Sequence, residues 1–503
     1  MRARLLPISM VLLSLAACNM APDSPPPLIT VPAEYKEAGP WQEAHPGDTL
    51  PRGPWWHSFG DPTLDHLESE LGAASPSLGA AVARYDEARA DAAEAESGLY
   101  PQLNIGGDLS ANRQSAGRPL RVGGPNEYGA NQLDAEAGYE IDLWGKLRNE
   151  AAAGRDLAQA GAADLAGMRL SLEAELATDY LTLRGLDADA QLLDGTVAAY
   201  QKALDLTQSR LQGAIASGMD VSRAETQLDT ARAQVSDIAG RRALIEHAIA
   251  TLVGEPAPSF SISPGTQAMN LPEVPNGLPS ILLQRRPDIA AAERRIAAAN
   301  AEIGVAKAAY YPSVSLAAEG GFQSTGFNLL SLPFSFWSLG PSVSLPVLNG
   351  GRLDAEESNA YAKFREMSES YRSTVLGAFQ EVEDNLALLH WLGRQSVDEG
   401  AGVGAAQRTL DIAMNLYREG ADSYLEVVTA QTALLQLQQT SIDLRSRRLE
   451  ADVGLIRALG GGWDVTSLPS DAQSTELAKN TTGEAASGME MRSGGRVVPK
   501  PAV

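Results

Sequence analysis

The sequence predicts a membrane α+β chain in which four β-strands feed two long helical hairpins and the second half repeats the first. Three observations predict it. Segments of roughly ten residues alternate apolar and polar side chains, as a strand with one dry and one wet face requires. Two long stretches, Asn126 to Glu255 and Val347 to Leu468, contain no proline and carry helical periodicity. Motifs of the first half also return at a nearly constant offset in the second.

The duplication is explicit. Tyr100-Pro101-Gln102-Leu103 returns as Tyr311-Pro312-Ser313-Val314, 211 positions on. Gly145-Lys146-Leu147 returns as Gly351-Arg352-Leu353, and Ser217-Gly218-Met219-Asp220-Val221 as Ser423-Tyr424-Leu425-Glu426-Val427, both 206 positions on. The first copy therefore holds five extra residues (211 − 206) between Tyr100 and Gly145.

Taken in order, Arg2 and Arg4 precede the apolar run Leu12-Leu13-Ser14-Leu15-Ala16-Ala17, which ends at Cys18, the single cysteine of the 503 residues. A basic start, a short apolar run and small residues make a secretory signal that is too short to span a bilayer. Leu15-Ala16-Ala17-Cys18 resembles the bacterial lipobox, which implies cleavage before Cys18 and acylation of its thiol and amine. More than one acyl chain gives stable anchoring. An ordinary signal with an incidental cysteine is the plain alternative. Asn19, where an aspartate would favour inner-membrane retention, implies by that resemblance the outer membrane. The expected organisation is a signal peptide at 1–17, a lipidated Pro-rich linker at 18–54, a first repeat at 55–255, a mid-chain linker at 256–277, a second repeat at 278–462 and a disordered tail at 463–503.

The first strand alternates Leu103, Ile105, Gly107, Leu109 and Ala111 with polar neighbours; its partner sets Leu133, Ala135, Ala137, Tyr139, Ile141 and Leu143 against Gln132, Asp134, Glu136, Glu140 and Asp142. In the second copy Val314, Leu316, Ala318 and Phe322 alternate, then Trp337, Leu339, Val343, Leu345 and Val347. Tyr100, Trp144, Tyr310, Tyr311 and Trp337 fall near strand ends, where an interfacial aromatic belt places them. A soluble antiparallel sheet with one face on the core shows the same alternation. In lipid, four strands cannot close, because bacterial barrels need roughly eight or more and an open edge leaves backbone groups unpaired. Copies of the chain must then share a barrel, and three would supply twelve strands.

The helical territories begin at Lys146 and Arg352. Tyr361, Phe364, Met367, Tyr371, Val375, Ala378, Val382, Leu386 and Leu389 form one apolar stripe. Val428, Leu435, Ile442, Leu449 and Ile456 repeat every seven positions, a coiled-coil spacing. Helices of some 65 residues reach about 100 Å at 1.5 Å per residue. Glycines 154, 161, 167, 185 and 195 are expected to bend the first.

A net charge of −23 excludes a nucleic-acid partner, whose phosphates call for clustered Lys and Arg. No catalytic constellation is present: the five histidines make no metal-ligand pairing on one helical face, and Gly400-Ala401-Gly402-Val403-Gly404 lacks a phosphate loop's spacing. No cofactor is expected beyond a lipid on Cys18.

Leu282-Leu283-Gln284-Arg285-Arg286-Pro287-Asp288-Ile289, the run Gly304-Val305-Ala306-Lys307-Ala308-Ala309-Tyr310-Tyr311-Pro312, Leu348-Asn349-Gly350-Gly351-Arg352-Leu353 and Leu416-Tyr417-Arg418-Glu419-Gly420 carry a family resemblance. From roughly Trp55 to Leu459 the chain resembles the TolC-like outer-membrane factors, in the lipoprotein branch serving resistance–nodulation–division efflux pumps (NodT type). The resemblance implies a homotrimer with a twelve-stranded outer-membrane β-barrel continuous with a long periplasmic α-helical barrel. It also implies a periplasmic adaptor and an inner-membrane pump as partners.

In that family the helical hairpins turn at a periplasmic tip where the channel narrows; the matching turns here are Gly213 to Val221 and Gly420 to Val427. Asp220 and Glu426 are candidate gate acids, with Leu425 as an apolar constriction beside them. Thr429 stands where relatives often carry an aspartate. Ser217-x-x-Asp220 and Ser423-x-x-Glu426 also read as capping boxes. Asp108, Asp134, Glu136, Glu140, Asp142 and Glu319 would form an acidic lumen, or simply a solvated sheet face. An exit duct for secreted protein and a non-conducting coiled-coil tether are the competing readings.

Overall fold

The computed structural model describes residues 19–23, 35–38, 54–117, 125–265, 269–270, 285–326, 330–464, 466 and 468. Cys18, the signal peptide, most of the linkers and nearly all of the tail lie outside the described residues. A short 3₁₀ turn, Trp55–Phe59, leads into α1 (Pro62–Ala74) and α2 (Pro76–Ser97). Then come β1 (Gln102–Arg113), β2 (Glu127–Glu140), α3 (Lys146–Gln212) and α4 (Gly218–Val253). The second repeat runs α5 (Pro287–Ala308), β3 (Ser313–Ser324), β4 (Ser335–Ser344), α6 (Arg352–Glu419) and α7 (Tyr424–Ala458).

The duplication extends to elements that the motifs did not mark. α2 and α5 are both 22 residues long, open on proline and start 211 positions apart (76 and 287). Proline suits the first helical turn, where its missing N–H would have no intrahelical partner. α3 and α6, of 67 and 68 residues, both open on a left-handed glycine, Gly145 at φ 78° and Gly351 at φ 85°. The chain must swing there from strand to helix through a region that a β-carbon disfavours.

The four strands form one antiparallel sheet in the order β1-β2-β3-β4, so β1 and β4 are both edges. Leu103, Ile105, Leu109, Trp337, Leu339 and Val343 are 64–80% exposed on its apolar face. Among the described residues nothing covers that face, which speaks against a sheet folded onto its own core. β4 ends at Ser344, so Leu345 and Val347 lie beyond it, because β3 begins at Ser313 and offers no partner further on. Among the described residues no helix is long and apolar enough to cross a membrane.

α3 runs unbroken through all five of its glycines. A β-carbon at Gly154 would sit 3.2 Å from Ala92, and one at Gly161 3.2 Å from Ala88. These two glycines admit the neighbouring α2 at close range. Of the heptad positions, Leu449 and Ile456 are buried, while Val428, Leu435 and Ile442 are only half-buried.

The largest core lies midway, where Trp55, Phe59, Leu64 and Leu71 pack against Leu176, Tyr180, Ile249 and Val453. Polar ties cross it. Asp61 caps α1 by accepting from Thr63 N at 2.8 Å, and its other oxygen accepts the Tyr180 hydroxyl at 2.8 Å. Arg184 donates to Tyr180 Oη and Asp187, and Arg242 donates to Asp187 at 2.6 Å, joining α3 to α4. The Arg-Pro-Asp motif works as helix docking. Buried Arg286 donates to Asp288 at 2.6 Å, Glu381 at 2.7 Å and the Ala458 carbonyl at 3.0 Å, tying α5, α6 and α7 together.

One carboxyl beside this core is poorly satisfied. Glu68 is 3% exposed, and neither carboxyl oxygen has a hydrogen-bond partner among the described residues. Burial first, then Glu173 and Asp65, pushes its pKa up to about 9. Glu173 is itself raised by burial, partly offset by Arg169 at 3.1 Å. A carboxyl raised in the fold favours the protonated form, so its stabilising contribution is full below the ordinary value and lost as pH rises towards about 9. Glu68→Gln is expected to flatten the pH dependence of stability between pH 5 and 9 and to stabilise the protein at pH 8 by about 2 kcal/mol or more. Denaturant midpoints across that range check it, and parallel curves for both proteins would refute it.

Candidate functional site: the polar sheet face and the hairpin tip

The register gathers the strand acids on one face. Glu136 stands opposite both Asn104 and Glu319, Asp134 lies between Gly106 and Gly321, and Asp108 faces Gln132. Gln132 Nε2 donates to Asp134 at 3.2 Å and to Glu319 at 3.4 Å. Asp108, Asp134, Glu136, Glu140 and Glu319 thus share a face that carries no Lys or Arg among the described residues of its strands. Glutamates directly opposite one another repel. Water that screens them makes the pair tolerable, whereas a dry interior would not.

Asp142 is a correction. It lies past the end of β2 and accepts from the backbone N and Nε of Arg148, both at 3.0 Å. It anchors the first turn of α3 instead of joining the acidic wall.

At the far end of the long helices the two turns pack together. Tyr200, Ala203, Leu204, Tyr417, Tyr424 and Val427 form a buried cluster, with the Tyr417 and Tyr424 rings 5.1 Å apart. Arg210, in the last turn of α3, lies over the Tyr417 ring at 4.6 Å and donates to the carbonyls of Tyr417 at 2.8 Å and Arg418 at 3.0 Å. It thereby caps the C-terminus of the other hairpin's α6. Burial first, then the neighbouring tyrosines and Asp220, pushes the Tyr424 hydroxyl up to about 12, so it stays neutral.

The candidate gate residues divide. Asp220 is engaged in a complete capping box: its Oδ2 accepts from Ser217 N at 3.1 Å and Ser217 Oγ at 2.8 Å, and Asp220 N donates back to Ser217 Oγ at 3.2 Å. Arg223 lies 3.6 Å from its other oxygen. The second expected box does not form, because Ser423 makes no side-chain cap and its N–H turns to Asp422 at 2.7 Å. Glu426 is therefore left exposed, on the same side of α7 as exposed Leu425 and Thr429, whose hydroxyl donates to the Leu425 carbonyl at 2.9 Å.

The residues that bind the two turns, Arg210, Tyr417 and Tyr424, were not singled out by sequence reasoning. A basic residue in a last helical turn is an ordinary dipole partner, and only the packed hairpins show that Arg210 serves a different helix. Its counterpart 206 positions on is Leu416, so the clamp exists once per chain.

The sequence matches the outer membrane efflux protein family model over residues 67–255 and 278–461, the two repeats. The chain belongs to that family. It is 32% identical over 462 residues to the pyoverdine export outer membrane protein OpmQ of Pseudomonas aeruginosa, covering 90% of this chain and 95% of that protein. It is 30% identical over 468 residues to the cation efflux system protein CusC of Escherichia coli, covering 92% and 99%. Among solved structures, the outer membrane protein VceC of Vibrio cholerae superposes with a TM-score of 0.75 at 28% identity, over 81% of this chain and 98% of that one. The chain is thus an outer-membrane efflux channel protein of the TolC-like fold, and its family consists of channels, not enzymes.

Removal of the Arg210 guanidinium should free the tip of this efflux protein. Arg210→Ala is expected to speed amide exchange across 413–424 by about tenfold or more, since each hydrogen bond from a charged donor contributes about 1.5–3 kcal/mol. Unchanged exchange by mass spectrometry would show that the clamp does not hold the turns.

Proposed function

We propose that three copies of this chain close one twelve-stranded barrel in the outer membrane and form a passive exit duct. The cargo is small molecules (drugs, toxic compounds or metal ions) delivered by an inner-membrane resistance–nodulation–division pump through a periplasmic adaptor. One observation carries this reading: a four-stranded sheet with an uncovered apolar face, an acidic polar face and two free edges continues directly into helices of 67 and 68 residues. Such a sheet is stable in lipid only when its edges are paired. The half-buried stripe of Val428, Leu435 and Ile442 likewise calls for further helices beside α7.

A lipid on Cys18 fits the course of the chain after it. Asn19 Oδ1 accepts from Asn149 in the first turn of α3, at 2.9 Å, and the Pro22 carbonyl accepts from Asn300 at 2.8 Å. Residue 19 therefore lies where strands give way to helices, the level at which an acyl chain could enter the bilayer. Relatives are named for pyoverdine export and for cation efflux, so the scaffold leaves cargo choice to the pump. The acidic sheet face favours cations in transit.

At the tip we assign the gate to a threefold ring of Glu426, flanked by Leu425 and Thr429, with Asp220 retained as a helix cap. Purified protein in planar bilayers should conduct, and deletion of the gene should raise drug or metal susceptibility without emptying the secretome of one protein. Absence of conductance would remove the duct reading. Glu426→Ala is expected to shift the reversal potential in a salt gradient towards lower cation preference; an unmoved potential would remove Glu426 from the gate.

A further inference from the structure

The proposal here rests on the trimeric reading above and specifies its seam. We propose that β4 of one copy pairs antiparallel with β1 of a second copy in a single register, Ser342 opposite Asp108, reproducing the register in which β2 meets β3 within the chain.

The internal repeat is accurate enough to make this inference. β3 lies 211 positions after β1, and β4 lies 206 positions after β2. Moving the pair Gln102↔Gly138 by those offsets gives Ser313↔Ser344, which is the observed first pair of β3 with β4. The two hairpins therefore share one register without slippage. Inside the chain the first hairpin meets the second through β2 and β3. Advancing the β2 residue by 206 and withdrawing the β3 residue by 211 converts that junction into the meeting of β4 with the next β1. Glu136↔Glu319 becomes Ser342↔Asp108, Asp134↔Gly321 becomes Gly340↔Ser110, and Ala135↔Gly320 becomes Pro341↔Leu109.

Three independent features agree with it. Over 338–345 the faces match, since polar residues meet polar and apolar meet apolar, with Leu345 opposite Ile105, Val343 opposite Gly107 and Leu339 opposite Ala111. The backbone groups match as well. Gln114 N donates to Asn126 O at 2.7 Å, so even-numbered residues of β1 point their amides to β2 and odd-numbered ones to the open edge. Ile141 N donates to Val314 O at 2.8 Å, and its image is Val347 N donating to Leu103 O of the second copy. Pro341, which has no N–H, takes an edge-facing position, so it leaves the β3 ladder intact and costs the seam one hydrogen bond, to Leu109 O. The seam also gives cover to residues that otherwise have none: Val347 and Leu348, 86% and 95% exposed past the end of β4, would lie beside Leu103 and Gln102.

The seam differs from the internal junction in its chemistry. Ser342 replaces the glutamate that faces Glu319, so no like-charge pair crosses between copies. Trp144, which stacks on Tyr311 at 4.8 Å and donates to the Pro312 carbonyl at 2.8 Å, has Gly350 as its image. Tyr100 of the second copy, 66% exposed, therefore meets no indole at the seam.

Ser342 and Asp108 would form a non-hydrogen-bonded pair with α-carbons about 4.5 Å apart, within the range of a disulfide. The test places cysteine at Asp108→Cys and pairs it in the full-length, membrane-expressed chain with Ser342→Cys, Gly340→Cys or Ser344→Cys. Asp108→Cys alone serves as the control for the native cysteine. After mild oxidation, the Asp108→Cys/Ser342→Cys protein should run as a covalent trimer on non-reducing gels at least tenfold more abundantly than the other two. A covalent trimer from the Gly340 or Ser344 pairing instead would overturn the register by one two-residue slip, while leaving the trimer in place. A native mass of three chains with no cross-link in any pairing would overturn edge pairing itself. A native mass of one chain would remove the trimeric reading along with the register.

Discussion

Everything in this molecule follows from one constraint on backbone hydrogen bonding: a β-strand edge cannot be left open in hydrocarbon. Among the described residues the chain folds a sheet of four strands, exposes Ile105, Trp337 and Leu339 on one side of it, and leaves the outer edges of β1 and β4 open. Those features would be faults in a soluble domain. In an outer-membrane efflux protein they become the means of assembly. Duplication eases the problem, because each chain already carries two equivalent hairpins and one of the junctions a barrel requires.

The helices are held by different means at different heights. Near the sheet, small residues let α2 and α3 approach closely, with Gly154 on Ala92. At mid-height, where α5 begins and α7 ends, buried charge sets the arrangement: Arg286 reaches two acids and a helix carbonyl, and Asp187 receives two arginines. Breaking such a pair leaves a buried charge uncompensated, which is why they fix relative position more than they add stability. At the tip the two hairpins meet through the buried cluster of Tyr200, Leu204, Tyr417 and Tyr424 and a single arginine. The repeat is broken there, with Arg210 in one copy and Leu416 in the other.

Much was legible in the residue order. Alternation over β1 to β4, the duplication and the span of the long helices depend on local periodicity, and local periodicity survives folding. The expectations that failed share a cause. Asp142 belongs to Arg148, and Ser423 does not cap α7. In each case the outcome depended on which group stood nearby in space.

The sequence by itself determined the period of every major element and the offsets of 206 and 211 that relate them. It thereby determined that one copy holds too few strands to close. Only the tertiary structure decided that Asp142 turns to Arg148, which carboxylate at the tip stays exposed, and that Arg210 closes one hairpin upon the other. Periodicity is a property of the chain's own geometry. The pairing of charges is settled by distances across elements far apart in the chain, and neither motif nor composition records those distances.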